Sequence, residues 1–268
     1  MEMPINLFKR ALLANSPQVG CWMGLSDPYA AELLATTGFD WLLIDAEHAP
    51  NDPRSVLAQL QALAAYSVQA VVRPVNSDSA LLKQYLDIGA QTLLLPMIET
   101  PAEAARVVAA TRYPPRGHRG VGSALARASR WNQIDEYLSR ATDEICVLVQ
   151  IESVTALNNA AEICAVEGVD GIFFGPADLS ASLGLLGRPM DPAVRRAIAE
   201  GMAVAKAAGK ATGTLCSDVQ LAHEFFALGA LFVAVGVDTT LLIKAARSLV
   251  TEFKGAGQPL AAQPPSVY

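Results

Sequence analysis

Three titratable side chains follow an apolar run in the stretch WLLIDAEHAP, residues 41–50. Asp45, Glu47 and His48 come directly after Trp41–Ile44. The apolar run is typical of a buried strand, so the polar residues should lie where that strand ends. A histidine beside carboxylates can serve as a general base, because its ordinary pKa is close to neutrality. The alternative is a core histidine hydrogen-bonded to Asp45.

Other polar residues interrupt or follow apolar runs elsewhere in the chain. Arg73 lies inside AVVRPV, Gln150 and Glu152 lie in VLVQIES, and Asp178 follows GIFFGP. A glutamate in a strand is rarely buried alone, so Glu152 requires a cation. Either Arg73 supplies it in a structural ion pair, or Glu152 and Asp178 together hold a divalent metal. Asp178 has the further alternative of only capping the next helix.

Short apolar runs recur along the whole chain, separated by segments with helical spacing. The eight predicted strands are 19–25, 41–45, 70–75, 92–98, 145–152, 171–176, 210–215 and 231–238. They lack alternation, which suits parallel strands covered on both faces. The segments 52–66 and 101–113 have the spacing of amphipathic helices, with Asp52 as an N-cap and Pro101 in a first turn.

Eight β–α alternations predict an α/β fold, a single-domain (β/α)₈ TIM barrel spanning residues 1–254. We expect residues 255–268 to form a mobile tail. A doubly wound sheet is the alternative, but no GxGxxG follows the first strand, so we expect no nicotinamide cofactor. In a barrel, catalytic groups lie at the carboxyl ends of the strands, where all the polar residues above would meet.

The overall composition argues against several classes of protein. The net charge is −6, without a Lys/Arg run, which gives nucleic-acid binding little support. No apolar stretch is long enough to span a membrane, and the amino terminus lacks a signal-peptide pattern. The four cysteines lie far apart in apolar contexts, so we expect reduced, buried thiols in a cytoplasmic protein.

The positions of the lysines bear on the type of carbonyl chemistry. A Schiff-base enzyme of this fold needs a lysine at a strand's carboxyl end. Lys83, Lys206 and Lys244 fall in predicted helices, and Lys210 lies at the amino end of the seventh strand. We therefore expect no Schiff-base lysine, and carbonyl chemistry here would need a metal as its electron sink.

Several motifs together resemble one known family. They are IDAEHAPN, VVRP, LLLPMIE, RYPPRGHRGVGSALARASRW, VLVQIES, GVDGIFFGPADLSASLG and GALFVAVGVDTTLL. In these the chain resembles the HpcH/HpaI aldolase family, over roughly residues 6 to 253. The resemblance implies a TIM barrel that cleaves 4-hydroxy-2-oxo acids through a pyruvate enolate. For 4-hydroxy-2-oxoheptanedioate, an intermediate of aromatic-compound catabolism, the products would be pyruvate and succinate semialdehyde.

The resemblance also implies roles for individual residues. Glu152 and Asp178 would hold Mg²⁺, Mn²⁺ or Co²⁺, with no pyridoxal phosphate. His48 would be the general base, and Arg73 would stabilise the developing negative charge. The predicted substrate contacts are Gln150, Ala177 and Asp178, together with Gly175, Pro176 and Trp22.

An aspartate matching Asp87 is implied to raise the basicity of His48. Asp87 lies at the end of a predicted helix, on the far face from the strand ends. It can reach His48 only from a neighbouring subunit, so the resemblance predicts a homo-oligomer, a hexamer in the family. Asp45 is the alternative partner of His48 within the chain.

Two other functions stay open at this point. The same metal and base would serve a 2-keto-3-deoxy sugar-acid aldolase, which differs only in its aldehyde pocket. A catalytically silent barrel would bind a small carboxylate without cleaving it. The Arg/Gly-rich loop 112–131 would either embrace an anion or pack at a subunit interface.

Overall fold

The computed structural model describes residues 1–255 as a closed barrel of eight parallel strands. Each strand pairs with the next along the chain, and β1 pairs with β8. The strands are β1 (Gln18–Met23), β2 (Trp41–Asp45), β3 (Gln69–Arg73), β4 (Thr92–Leu95), β5 (Cys146–Ile151), β6 (Gly171–Phe174), β7 (Ala211–Leu215) and β8 (Phe232–Val237). The predicted fold and all eight predicted strands are confirmed. The predicted tail, residues 255–268, lies outside the described residues except for Gly255.

Within residues 1–255, twelve α-helices precede, connect or follow the strands. They are α1 (Leu7–Leu13), α2 (Pro28–Ala35), α3 (Pro53–Leu63), α4 (Ser79–Asp87), α5 (Pro101–Thr111), α6 (Tyr137–Arg140), α7 (Val154–Asn158), α8 (Ala160–Ala165), α9 (Pro176–Ser182), α10 (Pro192–Ala207), α11 (Val219–Leu228) and α12 (Asp238–Lys254). The helix predicted over 52–66 is α3, and its N-cap is Asp52, whose side chain accepts from the N–H groups of Arg54 and Ser55.

The barrel interior is filled by large apolar side chains, with α1 closing its amino-terminal end. The Phe8 ring packs edge-on against Trp41 and Phe232, with centroids 5.8 and 5.7 Å away. The Trp41 indole packs directly against Gly20, where a side chain would clash, since a Cβ on Gly20 would lie 2.1 Å from the indole. A second apolar layer lies between the outer face of the sheet and the helices.

The strand alternation brings polar side chains to the carboxyl end of the barrel. Leu43, Val71 and Leu148 belong to the interior cluster. The residues two positions further along the same strands are Asp45, Arg73 and Gln150, so they point the same way, one layer higher. Asp45 and Arg73 are also register partners across β2 and β3.

The lysines lie where the sequence predicted them. Lys83, Lys206 and Lys244 are in α4, α10 and α12. Lys210 precedes β7, and its Nζ donates to the Val169 carbonyl at 2.7 Å. All four cysteines are free and buried, as expected. Among the described residues, no helix combines the length and apolarity that crossing a membrane requires.

Candidate active site

Arg73, the last residue of β3, forms ion pairs with two carboxylates at the carboxyl end of β2. Its Nε and Nη2 donate to Oδ1 and Oδ2 of Asp45 at 2.9 and 2.7 Å. Its Nη1 lies 2.8 Å from Oε2 of Glu47. Such a two-pronged pair fixes both the position and the plane of the guanidinium. Arg73 is 4% exposed, so this charge is held in a largely desolvated place.

Trp22 supports this pair from β1. Its Nε1 donates to Oδ2 of Asp45 at 3.2 Å, and the Arg73 Cζ lies 4.8 Å from the centre of its ring. Trp22 is itself buried, at 4% exposure. The indole thus lies over the guanidinium and supports it. The substrate contact expected at Trp22 stays a prediction.

The electrostatics of Asp45 and Glu47 differ sharply. Burial alone would raise the pKa of Asp45, but its hydrogen bonds from Arg73 outweigh burial and lower it. Burial raises the pKa of Glu47 to about 7; the charge of Arg73 opposes this, and the charges of Glu152, Asp45 and Asp178 add to it. Glu47 therefore shares one acidic environment with Glu152 and Asp178, the two predicted metal ligands.

Glu152 is a buried carboxylate without an ion-pair partner in the described part of the chain. It is 8% exposed, and its Oε1 accepts from the Met97 N–H at 2.7 Å while its Oε2 accepts from the Gln150 amide. Among residues 1–255, no Lys, Arg or His lies within ion-pair distance of it. The alternative of an Arg73–Glu152 ion pair is wrong, because Arg73 is engaged by Asp45 and Glu47. Burial raises the pKa of Glu152, although the bonds from Gln150 and Met97 oppose it.

The turn from β6 into α9 leaves room for Glu152. A Cβ on Gly175 would lie 3.2 Å from both Cβ and Oε2 of Glu152. Pro176 then begins α9, and Ala177 and Asp178 lie in its first turn, which no side chain caps. Asp178 is exposed and caps no helix, so the capping-only alternative is wrong. The N–H groups of this turn are therefore available as hydrogen-bond donors.

These residues fit a divalent metal that prefers oxygen ligands. Glu152 lacks the cation that a buried carboxylate requires, and the Asp178 charge acts on it. Gln150 lies next to Glu152, and its buried Oε1 has no hydrogen-bond partner in the described part of the chain. Within the described part of the chain, no group of three or more His, Cys, Asp or Glu forms a metal cluster by itself. Substrate and water oxygens would therefore complete the coordination of a metal held by two carboxylates.

His48 lies just after β2 and is exposed. Only its backbone N–H contacts Asp45, at 3.4 Å from Oδ1. The Asp45 carboxylate is already engaged by Arg73 and Trp22. Within the described chain, no hydrogen bond joins Asp45 to the imidazole, so the structure does not form the Asp45–His48 pairing that we expected as the alternative.

Asp87 lies at the end of α4, at the amino-terminal end of the barrel. His48 lies at the carboxyl end. Oδ1 of Asp87 accepts from Nη2 of Arg119 at 2.6 Å. The Arg119 side chain is fully buried and lies over the Tyr113 ring, with Cζ 4.5 Å from the ring centre. Part of the loop 112–131 thus packs against its own barrel through this cation.

Two functional contacts could not be found from residue types. Glu47 was visible as a titratable residue, but its pairing with Arg73 depends on the register of β2 and β3. Met97 donates its backbone N–H to Glu152. The identity of its side chain gives no indication of this contact. Met97 has a left-handed backbone, φ 55°, unusual for a residue other than glycine.

Comparison with known proteins places the chain in a family. The model of the HpcH/HpaI aldolase/citrate lyase family matches residues 18–245. The chain is 62% identical over 268 residues to a hydroxypyruvate/pyruvate aldolase of Paraburkholderia phytofirmans, covering 100% of both chains. It is 57% identical over 263 residues to a 4-hydroxy-2-oxo-heptane-1,7-dioate aldolase of Escherichia coli, covering 98% of this chain and 99% of the other.

A solved structure gives the same result. A HpcH/HpaI aldolase/citrate lyase family protein of Burkholderia cenocepacia J2315 superposes with a TM-score of 0.90 at 40% identity. The match covers 93% of this chain and 100% of that one. The chain therefore belongs to the HpcH/HpaI aldolase family, as its motifs predicted.

Proposed function

We propose that the protein is a divalent-metal-dependent pyruvate aldolase that cleaves 4-hydroxy-2-oxo acids reversibly. The observation that carries the proposal is Glu152, a buried carboxylate that has no ion-pair partner within residues 1–255 and lies next to Gln150 and in the field of Asp178. Its neighbours supply an anchored positive charge at Arg73 and an exposed histidine at His48. Metal-assisted retro-aldol cleavage of a 2-oxo acid would use these groups as metal ligands, charge stabiliser and base.

Glu152 and Asp178 would hold the metal. When bound, a divalent ion would supply a Lewis acid that polarises the 2-oxo group and serves as electron sink. Gln150 and the free N–H groups of the first turn of α9, including Ala177, would orient the carboxylate of the substrate. Gly175 and Pro176 would shape this turn.

The chain's own residues would move the proton and stabilise the charge. His48 would remove the proton from the C4 hydroxyl, and the C3–C4 bond would break as the aldehyde forms. The electron pair of that bond would pass into the pyruvate enolate. Arg73, held in place before the substrate arrives, would stabilise the charge that develops on the enolate oxygen. Protonation of the enolate carbon would then give pyruvate.

We also propose that Asp87 acts on His48 between subunits of a homo-oligomer, with a hexamer as the expected assembly. Asp87 and the strand ends lie at opposite ends of one barrel, so a single chain does not bring them together. Asp87 keeps 25% of its side chain exposed while bound to Arg119, which leaves part of the carboxylate for a second chain.

Hydroxypyruvate as the nucleophilic substrate is a second candidate. Relatives from Paraburkholderia phytofirmans and Deinococcus radiodurans, both 62% identical, carry the name hydroxypyruvate/pyruvate aldolase. The name of the Escherichia coli relative favours 4-hydroxy-2-oxoheptanedioate instead. Both substrates pass through an enolate of a 2-oxo acid and require the same Glu152, Asp178 and Arg73.

Aldol addition distinguishes the candidates. Purified, metal-loaded protein would be mixed with succinate semialdehyde and either pyruvate or hydroxypyruvate, and the products measured by mass spectrometry. Addition of pyruvate supports the 4-hydroxy-2-oxo acid assignment, and preferential addition of hydroxypyruvate supports the second candidate. Cleavage of a 2-keto-3-deoxy sugar acid alone would move the assignment to that aldolase. Binding of pyruvate without any carbon–carbon chemistry would contradict an aldolase.

A further inference from the structure

A cavity of about 250 Å³ lies at the amino-terminal end of the barrel, opposite the candidate active site. Its walls come from the beginning of β3, the residues just before β4 and β5, and the end of α3. The segment before α1 and the segment 127–130 complete it. None of the residues assigned to the aldolase reaction lines this cavity.

Two arginines line the cavity without a carboxylate partner. Nη1 of Arg127 donates to the Ile88 carbonyl at 3.0 Å and lies against Gly89, where a Cβ would be 2.5 Å away. Nη1 of Arg130 reaches the Arg127 carbonyl at 3.5 Å. No carboxylate of residues 1–255 forms an ion pair with either of them. An anion between these two guanidinium groups would supply the negative charge that the described chain does not.

The acidic residue on the cavity wall is already engaged. Oε1 of Glu144 lies 2.7 Å from Nη2 of Arg10, and its Oε2 accepts from the Asn6 N–H at 2.7 Å. Burial, and then the charge of Arg130, lower the pKa of Arg127. Burial is the larger cause, and the positive charge of Arg130 adds to it.

The remaining lining combines polar and apolar side chains. Leu60 and Leu63 of α3 and Ala90 before β4 are buried residues that reach the cavity. The volume is slightly below the roughly 300–1,000 Å³ of sites for drug-sized ligands. Guanidinium groups match carboxylate and phosphate oxygens with paired hydrogen bonds. The cavity therefore suits a small carboxylate or phosphate anion.

We propose that this cavity is a second, non-catalytic binding site for a small carboxylate or phosphate, held by Arg127 and Arg130. Because it lies at the opposite end of the barrel, it can be occupied together with the active site. The proposal does not depend on the aldolase function.

Titration calorimetry of metal-stripped protein tests the proposal, with succinate and inorganic phosphate as probes. Arg73→Ala, which removes the buried cation of the candidate active site, serves as the second background. The test variants are Arg127→Gln and Arg130→Asn; asparagine tolerates the left-handed backbone at that position, φ 51°. Arg116→Ala, an exposed arginine of the same loop, is the matched control.

We expect wild type, Arg116→Ala and Arg73→Ala to bind at least one probe with the same Kd. Arg127→Gln and Arg130→Asn should weaken that binding at least tenfold, with unchanged circular dichroism. Absence of binding of either probe to wild type would overturn the proposal, as would binding lost in Arg73→Ala alone. If either test variant instead changed the mass in solution, the arginines would hold a carboxylate of a second copy, which would also overturn it.

Discussion

The guanidinium of Arg73 owes its position to Asp45 and Glu47, so its removal should affect chemistry more than substrate binding. Arg73→Ala should lower kcat by about 10²–10³, the usual loss for a donor aimed at developing negative charge, with a smaller change in KM. Steady-state cleavage of a 4-hydroxy-2-oxo acid measures both constants. Arg116→Ala is the control. An Arg73→Ala enzyme that is folded and turns over at the normal rate would remove Arg73 from the mechanism.

Glu47 predicts a specific pH dependence of stability. Its pKa is raised from 4.5 to about 7 by burial and the neighbouring carboxylates. The folded state therefore holds this proton more tightly than the unfolded state, so the stabilisation is complete below pH 4.5 and is lost as pH rises through about 7. Glu47→Gln cannot lose a proton and should gain stability relative to wild type between pH 5 and pH 8.

Urea unfolding of metal-free wild type and Glu47→Gln at several pH values measures this difference. Glu32→Gln, which lies outside the site, is the control. A stability difference that stays constant from pH 5 to pH 8 would show that Glu47 titrates normally in the folded protein.

Gly175 is required by the close approach of Glu152. Gly175→Ala would place a Cβ 3.2 Å from the Glu152 carboxylate, which must then shift. We expect at least a tenfold rise in the Kd for Mn²⁺, measured by titration calorimetry. Gly122→Ala is the matched control, because nothing lies within 4 Å of its added Cβ. Unchanged Mn²⁺ binding in a folded Gly175→Ala protein would argue against Glu152 as a metal ligand.

At this scale the sequence identified the residue types but not all of their partners. It pointed to Arg73, Glu152 and Asp178 because polar residues at the ends of apolar strands are unusual. It left the Arg73–Glu152 ion pair open, since pairing is decided by the register that sets Arg73 beside Asp45. The contact from the Met97 N–H to Glu152 was not predictable, because a backbone donor has no sequence signature.

Among the elements, α1 should contribute strongly to stability because it closes the barrel. Phe8 is fully buried among Trp41 and Phe232, whereas Leu7 on the same helix is 54% exposed. Phe8→Ala should cost about 3–5 kcal/mol of unfolding free energy, and Leu7→Ala less than about 1 kcal/mol. Equilibrium urea unfolding measures both. A small effect of Phe8→Ala would mean that α1 is dispensable to the barrel.

The elements themselves were largely predictable. Continuous apolar runs mark strands covered on both faces, and the helices between them begin at strong caps such as Asp52 and Thr100. The ends of the strands were predicted less accurately than the strands themselves. The run 92–98 was predicted as one strand, but β4 ends at Leu95, because Pro96 has no N–H to continue the ladder.

For the whole molecule, the exposed apolar side chains of α12 indicate that the chain forms an oligomer. This 17-residue helix exposes an apolar set that no other part of the described chain covers: Leu241, Leu242, Ile243, Leu249, Val250 and Phe253. Such a set on one helix is typical of a protein–protein contact. We expect a homo-oligomer in solution; a hexamer of the 28.3 kDa chain would be about 170 kDa.

Light scattering during size-exclusion chromatography measures the mass. Leu249→Asp and Phe253→Asp should reduce it, whereas Arg247→Ala on the same helix should not. A wild-type protein with the mass of one chain would contradict the oligomer and, with it, the action of Asp87 on His48 between subunits.

The most direct test of the account is pyruvate release from 4-hydroxy-2-oxoheptanedioate by EDTA-stripped protein, before and after Mg²⁺, Mn²⁺ or Co²⁺ is added. We predict no release without metal, restored release with at least one of the three ions, and no restoration in Glu152→Gln. Full activity of the stripped protein, or restoration that is unaffected in Glu152→Gln, would contradict a metal site at Glu152. No release by folded wild type with any ion would contradict the substrate assignment.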